Sequence, residues 1–477
     1  MLCHVYNCQN FFGNKLDDKF KLVTSSAKGL LLFESEYNEI KYIFAVAFGT
    51  GRHLLNDDVF EERFGLKVVL NSVTRNSLRS IDKTTLGSNP KQSREQISRA
   101  SEASSFGIDI EQDLLNSVTG RSKYAALGKT ITGRDALSVA VKIDMGTIKE
   151  YSLICLERYL AEDYKADYDW IDQIKDIRSQ KVISTLNALL IDQLLAKNYE
   201  KIWMAPPDIL DWISVAGFKY AKRKTAELKD DLDVSEFVAS LGEKQPELDV
   251  LKSAQISVIS TKNDEEIAHW TAYKCIYAEI ENDGKMYILH SGKWYEIAKS
   301  FTDEILKSFT DTLDSDVGLP DYAHENEGKY NQALPAVLEG AHCMDADMII
   351  HGGGHSSIEF CDLITADKRL IHVKHYSGSS QLSHLFSQGV VSGELFVQDE
   401  GFRKKLNDKL PDEHKLSDVS VRPDPREYEI VYAIISKSLN PLEIPFFSKV
   451  SLRSAKRRLE GYGYKVTKKK IPRPIPI

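Results

Sequence analysis

The feature that most constrains the fold is a short apolar segment at residues 370–376, Leu-Ile-His-Val-Lys-His-Tyr. Its alternation predicts a β-strand, on which His372 and Lys374 share one face while Ile371 and Val373 point to the other. A polar pair on one face of an otherwise apolar central strand is costly to bury. Function is the usual reason to keep such a pair, so we expect a functional site here.

A second strand is predicted directly before this one. Residues 356–365 are followed by the tight turn Ala-Asp-Lys-Arg at 366–369, which indicates that the two strands are neighbours, with Asp362 on the first and Lys374 on the second. The surrounding patterns predict the order α-β-β-β-α-β, followed by a basic helix and a short strand. The remaining predicted elements are a helix at 325–334, the first strand at 346–351, a helix including 382–388, a strand at 428–435, the basic helix at 451–460 and the short strand at 464–466.

The fold class predicted from these patterns is mixed α/β, with an N-terminal α+β region before a C-terminal α-β-β-β-α-β domain. A length of 477 residues supports two to four domains. The strongest hairpin signal is Asp283-Gly284 between alternating runs. We expect three regions, namely an N-terminal α+β region at 1–140, a helical segment with a β-hairpin region of unknown role at 141–317, and a C-terminal domain with a basic end at 318–477.

Charge is distributed unevenly along the chain. The sequence has 62 Lys and Arg against 70 Asp and Glu, a net of −8. Residues 401–477 hold 18 basic and 9 acidic residues, a net of +9, which leaves 44 against 61, or −17, for residues 1–400. An acidic total therefore does not exclude nucleic acid, whose phosphates are bound mainly by Lys and Arg. A solvated helix face followed by a charged tail is the alternative interpretation.

The sequence lacks the marks of export and of membrane insertion. No apolar run reaches the roughly 18 residues of a spanning helix, and the first 14 residues lack the basic-then-apolar order of a signal peptide. The six cysteines are scattered without a C-x-x-C pair, which indicates neither a disulfide framework nor a zinc knuckle. We expect a cytoplasmic protein without a membrane partner.

Histidines are concentrated between residues 324 and 384, where seven of the twelve lie. A histidine-based transition-metal site is one interpretation, and it would make the protein a metal hydrolase of another class. His351 and His355 flank glycines, however, and do not have the helical setting of an H-E-x-x-H motif. This interpretation stays the weaker alternative.

The order of the elements, with Asp on the second strand and x-x-Lys on the third, resembles the PD-(D/E)XK nuclease superfamily, which has the restriction-endonuclease fold. The resemblance implies that Asp362 binds Mg²⁺ or Mn²⁺ and that Lys374 orients and polarises the attacking water. Phosphodiester hydrolysis needs that activated water, a Lewis acid on the phosphate and neutralisation of developing charge. A glutamate of the preceding helix, best Glu327, would complete the metal shell.

The sequence departs from the superfamily pattern two residues before Lys374, where the acidic residue is replaced by His372. Imidazole can ligate Mn²⁺ but is a poor ligand for Mg²⁺, because hard cations prefer oxygen. Glu359 is the candidate replacement, yet on a regular strand a residue three positions from Asp362 faces the opposite side. We expect the two carboxylates to meet only if a bulge interrupts the strand.

Several short segments also resemble an uncharacterised, sporadically distributed bacterial protein family, with coverage from about residue 40 to 440. They are AFGTGRHLL at 47–55, FGL at 64–66, FGID at 106–109, GKWY at 292–295, IEFCD at 358–362, HVK at 372–374 and LSHLFSQG at 382–389. His372 belongs to that family's own pattern. The patchy distribution implies mobile or anti-phage defence loci.

The leading hypothesis is a metal-dependent endonuclease of bacterial defence that cuts nucleic acid, with DNA favoured and Mg²⁺ or Mn²⁺ as cofactor. Many nucleases of this fold dimerise, so a homo-oligomer is a further expectation. The alternative is a catalytically impaired protein of the same fold that binds nucleic acid or a partner without cleavage. The candidate residues are Asp362, Lys374, His372 and Glu359 for catalysis, Asp362, Glu359 and Glu327 for the metal, and Arg453, Lys456, Arg457, Arg458, Ser383, His384 and Gln388 for nucleic acid.

Overall fold

Helices make up 35% and strands 33% of the protein, in several sheets, which confirms the predicted mixed α/β class. The chain forms two compact units, of which the first comprises Met1–Asp82, Arg94–Gly107 and Asn116–Tyr168, and the second Lys83–Ser93, Ile108–Leu115 and Asp169–Ile477. The computed structural model describes residues 28–55, 61–86, 91–177, 179–208, 210, 214–221, 226–261, 265–351, 357–376, 379–438 and 440–474.

The first described elements of the first unit form a hairpin of two ten-residue strands, paired antiparallel along their whole length. Asn38 and Glu39 form the two-residue turn, and both have a positive φ, as expected for a turn that matches the strand twist. A five-stranded sheet of order β4-β3-β5-β6-β7 follows. The elements are β1 (Lys28–Tyr37), β2 (Ile40–Gly49), α1 (Phe64–Ser72), β3 (Val73–Thr85), β4 (Lys91–Ser101), β5 (Asp113–Ser122), β6 (Thr130–Gly133), β7 (Leu137–Val139), α2 (Ile148–Leu160) and α3 (Lys165–Tyr168).

The second unit contains two antiparallel sheets before its C-terminal part, of orders β8-β15-β14-β13-β9 and β10-β11-β12. The elements are β8 (Ile174–Asp176), α4 (Gln180–Leu195), β9 (Ile202–Met204), β10 (Val215–Lys219), α5 (Val234–Ser240), α6 (Leu248–Ser253), β11 (Gln255–Ser260), β12 (Glu266–Thr271), α7 (Ala272–Cys275), β13 (Ile276–Asn282), β14 (Lys285–His290), β15 (Lys293–Ile297) and α8 (Lys299–Thr310). The predicted hairpin is confirmed, because Asn282 pairs with Lys285 around Asp283 and Gly284, whose φ angles are both positive.

The C-terminal part of the second unit is built on a five-stranded mixed sheet of order β16-β19-β20-β21-β22. The first three strands are antiparallel, whereas β20, β21 and β22 are parallel and are connected by helices. The elements are α9 (Glu327–Ala333), β16 (His342–Cys343), β17 (Ile349–Ile350), β18 (Ser357–Ile358), β19 (Leu363–Ile364), β20 (Arg369–His375), α10 (Ser379–Gln398), α11 (Glu400–Asn407), β21 (Glu429–Ser436), α12 (Phe446–Tyr462) and β22 (Lys465–Pro472).

Both faces of this sheet are covered, as is usual for parallel strands. Alternate residues of β20 and β21, such as Leu370 and Tyr432, belong to a core with α10, α11 and α12. Ile371 and Val373 point the other way, into a core that includes Tyr330 of α9. The predicted division of β20 into two faces is therefore confirmed, and all eight residues of β21 are buried.

A buried carboxylate fixes the start of the basic helix α12. Glu279 of β13 is fully enclosed and accepts hydrogen bonds from the backbone N–H groups of Phe446 at 2.6 Å and Phe447 at 3.1 Å. Free N–H groups and the positive end of the helix dipole favour a negative side chain at this position. The helix begins five residues earlier than predicted because this tertiary contact stabilises its first turn.

Two strand predictions before β20 were wrong. The edge strand beside β19 is His342–Cys343, whereas Ile349–Ile350 pairs with Ser357–Ile358 in a separate two-stranded sheet. Ala346, the predicted strand start, has a φ of 61°, which is incompatible with extended backbone. The predicted strand 356–365 is divided into β18 and β19 by an irregular link at 359–362.

The division of the chain into three regions stays a prediction. Its boundary after residue 140 lies within the first compact unit, and its boundary after residue 317 lies within the second. Among the described residues, no helix is both long and apolar enough to cross a membrane.

Candidate metal centre

Three carboxylates meet where the irregular link passes beside the end of β16. Oxygen atoms of Asp345, Glu359 and Asp362 all lie within 4.8 Å of one another. Asp345 follows β16 closely, and the other two residues lie at the two ends of the link between β18 and β19. Because the link is not a regular strand, Glu359 and Asp362 are not forced to opposite faces. The irregular link therefore has the effect that was expected of a β-bulge, because it allows these two carboxylates to meet.

Asp362 is the most enclosed of the three, with 8% of its surface exposed. Its Oδ2 accepts a hydrogen bond from the backbone N–H of Val373 at 2.6 Å, and its Oδ1 lies 3.3 Å from Nδ2 of Asn331 on α9. Burial raises the pKa of this carboxyl well above its usual range, and the neighbouring Glu359 and Asp345 add to the effect against the opposing Val373 bond. The side chain is held in place from two elements.

Glu359 is positioned by two donors. Its Oε1 accepts the backbone N–H of Ala346 at 2.8 Å, and its Oε2 accepts Nε2 of Gln388 on α10 at 3.0 Å. Burial raises the pKa of Glu359, and the charge of Asp345 contributes, while the Ala346 bond and the charge of Lys374 lower it. Two of the three carboxyls thus resist ionisation without a counter-charge, which is the condition that a bound cation relieves.

Lys374 lies one residue before the end of β20 and is paired with a carboxylate of α9. Its Nζ lies 2.8 Å from Oε2 of Glu327, and Oε1 of the same glutamate accepts the backbone N–H of His375 at 3.2 Å. About 30% of each of the two charged side chains is exposed. Glu327 therefore sits at the end of β20, where its two oxygens fix the lysine and the strand together.

His372, which the sequence resemblance placed at an acidic position of the strand, lies outside the carboxylate group. Its ring is 2% exposed and packs against Tyr432 with 5.9 Å between ring centroids. Burial lowers its pKa to about 4, so the ring is neutral at physiological pH. Its Nε2 has no hydrogen-bond partner among the described residues.

Asp345 is the member of the group that sequence reasoning missed. It was assigned to no element because the predicted first strand began one residue later. The available signal was the pair Asp345 and Asp347 directly before the short apolar run at 348–350. Only the true strand, His342–Cys343, places the first of these acids at the sheet edge.

The chemistry of the donor set fits the predicted Mg²⁺ or Mn²⁺. Mg²⁺ and Mn²⁺ are bound by carboxylate oxygens, and Mg²⁺ usually keeps several waters with only a few protein ligands. Asp345, Glu359 and Asp362 offer such oxygens close together. Glu327, the other predicted metal ligand, is not one of this group and forms an ion pair with Lys374. In the part of the chain that the structure describes, no histidine joins a group of three candidate metal ligands; His355 lies outside that part.

The four predicted nucleic-acid-binding cations of α12 are paired with carboxylates of the second unit. A phosphate would have to replace these partners, so their contact with nucleic acid stays a prediction. The pairs are Arg453 with Glu304 at 3.1 Å, Arg457 with Glu111 at 2.6 Å, Arg458 with Glu394 at 2.8 Å and Lys456 with Glu460 at 3.8 Å.

The three predicted residues of α10 have different surroundings. Gln388 supports Glu359, as described above, whereas His384 is exposed. Ser383 lines a cleft of about 240 Å³ with residues of α12, and its Oγ lies 3.3 Å from Oγ of Ser451. The structure therefore places Gln388 at the carboxylate group, Ser383 beside α12 and His384 on the exposed surface of α10.

Comparison with known proteins gives a family match and nothing further. The sequence model described as "Family of unknown function (DUF6119)" matches residues 9–472. No curated protein matches the chain, and no solved structure does.

Proposed function

The chain belongs to the DUF6119 family of unknown function, and we propose that it is a metal-dependent nuclease that hydrolyses phosphodiester bonds. The observation that carries this proposal is the group of three carboxylates within 4.8 Å of one another beside the end of the strand that bears Lys374. A trio of acidic oxygens next to a lysine supplies both a cation site and a donor for developing negative charge.

Each side chain has a role that follows from its position. Asp345, Glu359 and Asp362 would hold Mg²⁺ or Mn²⁺, which when bound supplies a Lewis acid for the phosphate and lowers the pKa of a bound water. Lys374, fixed by Glu327 at 2.8 Å, donates hydrogen bonds that orient the attacking water and stabilise negative charge. Because this glutamate also holds the His375 N–H, the lysine is preorganised.

We extend the proposal to the substrate and the setting. DNA as the favoured substrate, a role in anti-phage defence and a homo-oligomeric state rest on the sequence resemblances given above. A cytoplasmic location rests on the absence of a long apolar run and of a signal-peptide pattern in the sequence.

Cleavage assays test the proposal. The full chain is incubated with plasmid, single-stranded DNA and RNA in Mg²⁺, Mn²⁺ or EDTA. We expect metal-dependent products that disappear in Asp362→Asn and Lys374→Met. Asp347→Asn is the matched control, since this nearby carboxylate pairs with Lys409 and is not one of the three. Cleavage that persists in both site variants would overturn the assignment.

A second candidate function is binding without cleavage on the same fold. It is favoured by His372, because a neutral, buried ring stands where the superfamily has a metal-binding acid. It predicts binding that weakens with salt and no metal-dependent product from any of the three nucleic acids. Product formation that needs Lys374 would rule it out.

A further inference from the structure

The C-terminal basic segment, residues 448–477, holds ten basic residues and one acidic residue, and most of its charged groups are already bonded within the protein. Seven of its ten basic residues form ion pairs with a carboxylate, and two others donate to backbone carbonyls. The ion-paired residues are Lys449, Arg453, Lys456, Arg457, Arg458, Lys465 and Lys468, and the carbonyl-bonded residues are Lys469 and Lys470. The side chain of the tenth, Arg473, bonds to neither a carboxylate nor a backbone carbonyl among the described residues, and contacts an imidazole instead.

Arg473 follows β22 and is held by aromatic and imidazole groups. Its Nη1 contacts Nε2 of His375, and its guanidinium carbon lies 5.5 Å from the ring centroid of Tyr322. Its backbone N–H donates to the carbonyl of Ser436 at 2.9 Å. The Tyr322 ring is itself 4% exposed and packs edge-on against His375. A guanidinium on an aromatic face keeps its charge and its remaining N–H groups for another acceptor.

The position of Arg473 relates it to the carboxylate group. His375, which it contacts, donates its backbone N–H to Glu327, and Glu327 pairs with Lys374. Arg473 and Lys374 are therefore separated by one imidazole and one carboxylate at the same end of the parallel strands. Lys437 is exposed one residue beyond β21, in register with the residue that follows β22. These groups form a cationic rim beside a site built to hold a cation.

We infer that Arg473 binds a phosphate group of the substrate next to the one at the carboxylate site. This inference rests on the proposed nuclease function and names a contact that the predicted α12 surface does not include. A planar guanidinium suits a phosphate because it can donate two parallel hydrogen bonds. The same chemistry would bind a backbone phosphate of nucleic acid or free inorganic phosphate, so the test separates the two.

The experiment measures the binding of fluorescein-labelled duplex and single-stranded oligonucleotides to the full chain in Ca²⁺, over a range of salt concentrations. Loss of one phosphate contact reduces the slope of log Kobs against log salt by about 0.9 for a duplex and about 0.7 for a single strand. We expect that loss in Arg473→Gln and a smaller one in Arg473→Lys, which retains the charge but not the planar fork. Thermal unfolding checks that both variants are folded.

A matched control keeps the measurement specific. Arg426→Gln removes the same charge from an exposed side chain that pairs with Asp424 before the other end of β21, and its salt slope should equal that of the wild type. An unchanged slope in Arg473→Gln would overturn the inference and leave the proposed function standing. A loss confined to Arg457→Gln would assign the contact to α12 and overturn it equally.

Binding of inorganic phosphate, measured by thermal unfolding, tests this inference independently of the proposed nuclease function. If no oligonucleotide is bound or cut but phosphate stabilises the wild type against heat and not Arg473→Gln, the anion site stands and the nuclease proposal fails. If neither oligonucleotide nor phosphate binds, both are overturned.

Discussion

The carboxylate of Asp362 accepts the backbone N–H of Val373, with 2.6 Å between oxygen and nitrogen. That nitrogen lies between His372 and Lys374, so the bond attaches the most buried carboxyl of the site to the strand that carries the lysine. The other Asp362 oxygen lies near Asn331, whose Oδ1 has no partner among the described residues. The nitrogen of that amide donates to Asp362, and it is burial that raises the pKa of the carboxyl.

Asp362→Asn should stabilise the metal-free protein at high pH. The folded-state pKa of this carboxyl lies above its ordinary 3.8, so the folded state holds the proton and stability falls as pH rises through the interval between the two values. The amide removes that loss because it is neutral at every pH, and its oxygen still accepts the Val373 N–H. Urea unfolding in EDTA at pH 4 and pH 8 measures the difference. A variant less stable than the wild type at pH 8 would contradict this reasoning.

Divalent metal should stabilise the wild type through the three carboxylates. At an Mn²⁺ concentration 100 times Kd the gain is about 2.7 kcal/mol, provided that the unfolded chain does not bind. Asp345→Asn and Glu359→Gln should lose most of it, whereas Asp347→Asn should retain it, because Asp347 pairs with Lys409. Thermal unfolding with and without Mn²⁺ provides the measurement. Equal stabilisation of all variants would place the ion elsewhere.

His372→Phe should flatten the acid side of the stability curve. Burial lowers the pKa of His372 from 6.5 to about 4, so the unfolded state binds more protons between these values and stability falls as pH drops through them. The loss at pH 5, relative to neutral pH, is about 2 kcal/mol. His53→Gln, at an exposed imidazole, is the control for urea unfolding at pH 5 and 8. Parallel wild-type and His372→Phe curves would contradict the burial argument.

Glu279→Ala should destabilise the second unit more than the same substitution does at an exposed glutamate. The change leaves the N–H groups of Phe446 and Phe447 buried without an acceptor, at about 1–3 kcal/mol each. Glu279→Gln retains an acceptor and should lose less. Glu281→Ala, two residues along β13 and exposed, should be within about 0.5 kcal/mol of the wild type. Chemical denaturation measures the free energy of unfolding of the three variants. Equal losses of stability in all three would show that Glu279 does not cap α12.

Gly389→Ala and Gly461→Ala should act in opposite directions. A Cβ at Gly389 of α10 would lie 2.5 Å from Oη of Tyr432, whose hydroxyl donates to Phe386 O, so we expect a loss of about 1–3 kcal/mol from overpacking. At Gly461 of α12 nothing lies within 4 Å, and better helix propensity should give a gain of up to about 1 kcal/mol. The midpoints of unfolding of the two variants provide the measurement. A gain in stability in both would show that α10 can move away from β21.

Much of the C-terminal fold was predictable because it depends on local patterns. Alternation predicted β20 and its two faces, and the position of Lys374 followed from it. The predicted helix near 325–334 is confirmed as α9, and the end of β20 is where its Glu327 lies. These elements carry their own periodicity, which neighbouring elements reinforce.

The remaining features depend on partners distant in sequence. Apolar spacing did not show that the strand 356–365 breaks at Glu359, because the break is stabilised by Ala346 and Gln388, 13 and 29 residues away. The ion pairs of α12 are even less local, since Arg457 meets Glu111 across 346 residues. Charge counting along the chain detects a basic helix but not the carboxylates that neutralise it.

The separation in sequence between parallel strands has a kinetic consequence. The bonds that assemble the carboxylates span 11 to 31 residues, whereas His375 and Arg473 are 98 residues apart. Closing a longer loop costs more chain entropy before any contact compensates for it, so such pairings form late. We therefore expect a refolding molecule to acquire its affinity for divalent ions before its affinity for phosphate, two events that stopped-flow mixing can resolve in time.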